Sequence, residues 1–387
     1  MASTFFVPDC PEACRELIKK FAPKTALHKL EKMFSGSKVS HEQFSLLRVY
    51  FPQILEPLEF LTFKDKYGLA SVWGDAQAIL KQSDSFNAML RCIRSEHPNF
   101  DCIPRSGPDC PGEFIPFLTF LGEISRSDAR PVDQIPDTNA RDLPRGNRST
   151  RATAINVWED SDNEEHADEP TVHVPKKRKL PTAPRTKKKS DKKLFSDAEY
   201  EITVNAASGI LLRMVGDLIP NTRSHWVLDH VTLRASFSNA SYTAVTDGAL
   251  WTKMKRVIQS IVEVKRASRW NILNDVRMQE GGEGASWIFC ADETGLPALN
   301  GHRLLVSMDR DQMFLTFLMP GQGYKEFLKT GVDGPTAFLE MRTYGPFDLC
   351  DAEEMEAVSI ALVACSILAC QAAEAARLLE ANLHSDA

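Results

Sequence analysis

Three side chains in this sequence could do hydrolytic chemistry together. Asp247 lies in the run TAVTDGALW, and after 15 intervening residues the run SIVEVKRAS carries Glu263 and Lys265. Successive side chains of a strand point to opposite faces, so Glu263 and Lys265 share one face while Val262 and Val264 share the other. The valines suit burial, which sends the charged pair towards a cleft or into solvent. If the two runs pair as an antiparallel hairpin, a turn centred on Met254 sets Asp247 opposite Ile261, and one centred on Lys255 sets it opposite Glu263. Both registers put the three groups on one face, whereas a slip of one residue separates them. Two carboxylates so close repel unless a cation compensates them. Hard oxygen donors on neighbouring strands suit Mg²⁺, or Mn²⁺ in its place, with several waters kept in the ion's shell. Lys265 would then orient or help deprotonate a metal-bound water and stabilise charge developing on a phosphate. A solvated hairpin face uses the same residue types and is the competing explanation.

The elements that must position these groups are legible from residue 194 onwards. Ile202, Ala206, Ile210 and Met214 form one stripe of a helix expected over 197–218. Strand-like runs follow at 226–237, 242–251 and 257–265. A helix over 271–290 comes next, in which Gly281, Gly282 and Gly284 each cost about 1 kcal/mol against alanine and should soften it. Strands at 303–308, 313–319 and 338–344 precede a long helix from about 351 to 383. Upstream, residues 1–124 read as helical, with apolar residues at three- and four-residue spacing over 10–21, 41–51, 74–80 and 85–93, and with Ser40 and Asp75 as caps. They form either a small helical domain or helices docked on the other half, and nothing in them has a recognisable chemical arrangement. Residues 125–193 hold few large apolar side chains, are acidic over 158–170 and basic over 175–193, and read as a disordered linker. The expected organisation is therefore a helical region 1–124, a linker 125–193 and an α/β domain 194–387.

Asp247 followed by Glu263-x-Lys265 resembles the PD-(D/E)xK nuclease superfamily, and the chain is similar in particular to the fungal PD-(D/E)xK nuclease-like proteins. The likeness runs from about Phe195 to the C-terminus. It takes in the helix before the strands, the Asp247-Gly248 and ExK elements, the helix carrying Met278-Gln279-Glu280, and the run RTYGPFD at 342–348. The resemblance implies a restriction-endonuclease-like core, a mixed central sheet flanked by helices. It implies that Asp247 and Glu263 bind metal and that Lys265 is the catalytic lysine. It also implies that Gln279 helps to hold the site and that Glu201, with Glu199 as a weaker competitor, touches a metal-bound water from the first helix. The sequence departs from the family where Asp247 lacks a preceding proline and where Glu283 stands in place of the tyrosine of some exonuclease-type members.

Other features bound the partners. Pro175-Lys176-Lys177-Arg178-Lys179, with a second basic cluster at 187–193, reads as a nuclear-import signal bound by an import receptor. The chain has 387 residues, 43% hydrophobic and 25% charged, with a formal net charge of -6. That composition excludes a wholly disordered chain and a general polycation that coats nucleic acid. No run of 18 or more apolar residues appears, and no basic and then apolar leader opens the chain, so neither a membrane span nor secretion is expected. The nine cysteines are an odd number and thinly spread, which argues against a disulfide framework. Trp270, beside Arg266 and Arg269, either packs the core or stacks on a base. The sequence thus points to a nuclear, Mg²⁺-dependent phosphodiesterase acting on nucleic acid, DNA before RNA. The alternative is a nuclease-like domain without turnover that binds nucleic acid or another protein.

Overall fold

A computed structural model describes residues 5–94, 100, 102–126, 189–253, 256–291 and 299–385, with the backbone alone for 189–200, 380 and 382–385. Residues 1–129 and 193–387 belong to one compact unit, separate from 130–192. The basic import run at 175–179 and nearly all of the expected linker lie outside the described residues, although Ser125 and Arg126 finish one helix and Lys189 opens another.

The unit is α/β. Its helices are α1 (Pro11–Phe21), α2 (His41–Leu47), α3 (Pro57–Phe63), α4 (Ala70–Gln82), α5 (Asp84–Ile93), α6 (Ile115–Arg126), α7 (Lys189–Asp217), α8 (Leu273–Cys290), α9 (Tyr324–Thr330) and α10 (Ala352–Ser385). Its strands are β1 (Val49–Tyr50), β2 (Ser224–Val227), β3 (Val231–Ser236), β4 (Ser241–Thr246), β5 (Gly248–Thr252), β6 (Ile258–Lys265), β7 (Arg303–Asp309), β8 (Gln312–Pro320) and β9 (Leu339–Asp348). Seven strands form a mixed sheet in the order β1-β9-β8-β7-β6-β5-β2, while β3 and β4 pair in a separate hairpin. The pair β6–β7 is parallel, with α8 as its crossover, whereas β2–β5, β5–β6, β7–β8 and β8–β9 are antiparallel.

The sheet separates two hydrophobic layers, and alternation along each strand feeds both. On one face Val262 and Val264 join Leu304, Val306 and Met308, covered by Val204, Ala207, Leu211 and Val215 of α7 and by Val358, Ala361, Leu362 and Cys365 of α10. On the other, Ile261 and Leu305 meet Met278, Ala285 and Trp287 of α8 and the inward residues Val231, Leu233 and Ala235 of β3. Over Ala352–Leu379, α10 is long and apolar enough to cross a bilayer, yet 67% of its 18-residue apolar window is buried inside the fold, as in a core helix.

Several expectations change here. Of the two alternatives for the first 124 residues, the described ones follow the second, docking on the other half, with a strand added: β1 makes a parallel edge to β9, Phe44 and Phe51 enter one core layer, and Phe60 and Tyr67 enter the other. The run 226–237 is not one strand but β2 and β3, and 242–251 is β4 and β5, because the chain leaves the main sheet after Val227 and returns at Gly248. Only glycine fits that return, since a Cβ at 248 would sit 2.4 Å from the Val227 carbonyl oxygen. In α7 the packed stripe is Val204, Ala207, Leu211 and Val215, and Ile202 is exposed. Ser40 does cap α2, its hydroxyl accepting from Gln43 N–H at 3.1 Å, but Asp75 lies inside α4, which starts at Ala70.

Candidate functional site

Strand alternation sends Glu263 and Lys265 to the α8 side of the sheet. The parallel register of β6 and β7 sets Ser307 beside Glu263 and Asp309 beside Lys265. Asp247 sits between the two sheets, where β4 ends and β5 begins. Gly248 pairs with Val262, the register of a turn centred on Lys255, and the pairing ends there, one residue short of Asp247 and Glu263. A bulge between Leu250 and Trp251 takes up the offset. The Asp247 N–H donates to Val262 O at 3.0 Å, and its carboxylate Oδ2 accepts from Val264 N–H at 2.8 Å. That carboxylate thus caps a backbone donor that β5 leaves unpaired.

From above, α8 lowers Gln279, Glu280 and Glu283 onto these strands. Gln279 Nε2 donates to Glu263 Oε1 at 2.6 Å and to Glu283 Oε1 at 2.9 Å, and Lys265 Nζ donates to Glu263 Oε1. The glycines bring the helix this close. A Cβ at 281 would lie 2.8 Å from the Phe44 ring, one at 282 would lie 2.9 Å from Val39, and one at 284 would lie 2.8 Å from Leu318. The Tyr242 hydroxyl of β4 fastens the same turn, donating to Gly282 O at 2.8 Å.

Burial dominates the electrostatics. It raises the Glu263 carboxyl to about 8, with Lys265 opposing and Asp247 adding to the rise. Burial and then Glu263 hold Glu283 well above the ordinary carboxylate range. Asp247 is raised by burial against the pull of Val264 N–H and Lys265. Burial pulls the Lys265 ammonium down, but Glu263 and Glu283 outweigh it and leave it above its ordinary value. Glu263 Oε2 and Glu283 Oε2 are buried and have no hydrogen-bond partner.

Beside this cluster lies a second one, more deeply buried. Arg269 Nε donates to Asp309 Oδ2 at 2.6 Å, and its Nη2 donates to Asp309 Oδ1 and Glu280 Oε1, both at 3.2 Å. Ser307 Oγ donates to Glu280 Oε1 at 2.6 Å, and the Arg269 guanidinium lies 3.6 Å over the Phe314 ring. Arg269 is 1% exposed and cannot reach a base. Trp270 is 51% exposed and rests edge-on against Phe314, so of that pair only Trp270 faces outwards.

The structure therefore brings together Asp247, Glu263, Lys265 and Gln279. Glu201 does not join them: its side chain is exposed, and α7 packs on the opposite face of the sheet. The side chain of Glu199 lies outside the described residues. His302 is buried, with Nδ1 3.0 Å from the carbonyls of Leu299 and Asn300, a structural histidine. Sequence reasoning missed Glu283, Glu280, Ser307, Asp309 and the burial of Arg269. The spacing of Gln279 and Glu283, one helical turn apart, is the signal that would have paired them.

The donor chemistry fits a small divalent cation. Glu263 Oε2 is bare, and the second oxygen of Asp247 is not used by Val264. As they stand, no three His, Cys, Asp or Glu side chains among the described residues are in metal-ligand arrangement. Two carboxylates with waters completing the shell suit Mg²⁺, which sheds water reluctantly. No family model, curated protein or solved structure matches this chain.

Proposed function

We propose that the chain is a Mg²⁺-dependent phosphodiesterase of the PD-(D/E)xK type, acting on nucleic acid, DNA before RNA, in the nucleus. The observation that carries the reading is the convergence on Glu263: Lys265 and Gln279 both donate to its Oε1, and Asp247, at the strand switch, is near enough for its charge to raise Glu263. Those four are among the five residues that the PD-(D/E)xK resemblance assigns; the fifth, Glu201, lies on the opposite face of the sheet. A mixed sheet with helices on both faces is compatible with a restriction-endonuclease-like core.

In this reading Asp247 and Glu263 hold Mg²⁺, or Mn²⁺ in its place, which when bound makes water a better nucleophile at neutral pH and offsets charge on the phosphoryl oxygens. Lys265 keeps a full positive charge beside the reacting phosphate, because its acidic neighbours outweigh the effect of burial. Gln279 fixes the Glu263 carboxylate so that Oε2 stays turned away from the amide. Lys176, Lys177, Arg178 and Lys179 are read as the patch that an import receptor binds; absence of nuclear accumulation of a reporter fused to residues 170–194 would remove that part.

The second reading, a nuclease-like module without turnover, is favoured by one observation: Glu263 is 2% exposed, and its ammonium partner is committed to it. Labelled single- and double-stranded DNA, titrated with Mg²⁺, separates the two. Cleavage by the wild type should fall on the order of 10²–10³-fold in Lys265→Ala, as for the loss of one preorganised charge stabiliser. Equal cleavage by both proteins removes Lys265 from the mechanism, and binding without cleavage supports the module.

A further inference from the structure

Glu283 has no part in that mechanism, yet its surroundings call for another group. It is fully buried on α8, one turn beyond Gln279, whose amide nitrogen donates to Glu263 Oε1 at 2.6 Å and to Glu283 Oε1 at 2.9 Å. One amide thus holds two carboxylates side by side. Their remaining oxygens, Glu263 Oε2 and Glu283 Oε2, are both buried and receive no hydrogen bond from a nitrogen or hydroxyl, and the two carboxyl groups are close enough for a proton on one to bond the other. Native interiors rarely leave such an oxygen without a donor, a proton or a cation beside it. Lys265 does not answer the need, because it is bound to Oε1 of Glu263. Nor can Glu283 swing out to water, since Gly282 and Gly284 on either side seat the helix against Val39 and Leu318.

We propose that Glu283 supplies a further protein oxygen to the divalent cation of this site, its Oε2 acting with that of Glu263. The proposal rests on the cation reading of Asp247 and Glu263 and adds a donor at the position where some exonuclease-type members of the resembling family have tyrosine. Charge points the same way. Once a cation displaces the protons that burial favours on Glu263 and Glu283, three carboxylates face one ammonium, and one divalent ion cancels the two negative charges left over. A proton held between Glu263 and Glu283 is the rival occupant, and it cancels only one.

The test uses the full chain, stripped with EDTA, titrated with Mn²⁺ by electron paramagnetic resonance and melted with and without Mg²⁺. Wild type should bind Mn²⁺ and melt higher with Mg²⁺, as linkage requires. Glu283→Gln should bind Mn²⁺ at least ~10-fold more weakly, since even loss of an outer-shell partner costs ~10–100-fold. Its metal-free melting temperature should be no lower than that of wild type, because one of two adjacent buried acids is gone. Glu283→Leu gives a second reading of affinity with an apolar side chain, and Glu280→Gln should leave affinity unchanged. Wild-type affinity in both Glu283 variants overturns this inference while leaving the cation site standing. No Mn²⁺ binding by wild type overturns the cation site itself.

Discussion

Replacing Arg269 by methionine tests whether the deeper cluster is held as its geometry indicates. Arg269, Glu280 and Asp309 are 1%, 0% and 0% exposed, so removing the guanidinium leaves two carboxylates without their cation and out of reach of water. Breaking a buried pair from one side costs about 3–5 kcal/mol, most of it the penalty of the stranded charge. At roughly 2 °C per kcal/mol for a chain of this size, the melting temperature should fall by roughly 6–10 °C. The loss should depend on pH. Burial already raises Asp309 while Arg269 opposes the rise, so without Arg269 the folded state takes up a proton more readily. The deficit should therefore be smaller at a pH of about 5 than at about 8. Adding Glu280→Gln and Asp309→Asn to Arg269→Met should recover more than half the loss, because no buried charge is then stranded. Thermal and urea unfolding followed by far-ultraviolet circular dichroism measure each step. A loss below about 1 kcal/mol in the single variant, or a triple variant no better than the single, refutes the argument.

Two further expectations concern the site and its supporting helix. Because the folded-state value of Glu263 lies at about 8, above its ordinary 4.5, the folded protein holds a proton through that window that the unfolded chain releases; metal-free stability should fall as pH rises from 4.5 to 8. Glu263→Gln should shrink that slope without abolishing it, since Asp247 and Glu283 shift the same way, and an unchanged slope in melting experiments would count against the burial account. Gly281→Ala should lose on the order of 1 kcal/mol, against the ~1 kcal/mol gain that helix propensity alone promises, because its Cβ meets the buried Phe44 ring at 2.8 Å; a rise in urea midpoint would show that the helix is not pressed against α2.

Much of the pattern was legible because strand and helix periods are short-range. Val262 and Val264 against Glu263 and Lys265 follow from a period of two, and the valines do face the α7 and α10 layer. What depends on distant pairing was not legible. Both runs 226–237 and 242–251 alternate plausibly as single strands, and only the Val227 carbonyl pressed against Gly248 shows where they break. Two residues, Val49 and Tyr50, carry too little pattern to be called a strand, yet they satisfy an edge of β9 lying 290 positions away. Arg269 reads only as a neighbour of Trp270, because the acids that bury it, Glu280 and Asp309, belong to other elements. Glu283 reads as a gap in a family pattern, because its meaning lies in Glu263 on the strand beneath.

Packing alone does not account for these acids. Apolar side chains of the same volume fill a sheet–helix interface at least as well as ion pairs, and often better. Here Glu263, Glu280 and Glu283 each keep an oxygen with no partner, so the arrangement is not even a completed polar network. A structural purpose would be register: charges beneath α8 could pin the helix on β6 and β7. That purpose is already served by Arg269, bridging Asp309 of β7 to Glu280 of α8, and by Tyr242 on Gly282. Neither contact needs Glu263, Lys265 or Glu283. An interior acid pair that neither packing nor register requires is better explained by something it holds, and the two explanations part at one substitution. If the pair serves structure, Glu283→Leu should lower the metal-free melting temperature; if it serves a ligand, the same change should raise that temperature and weaken Mn²⁺.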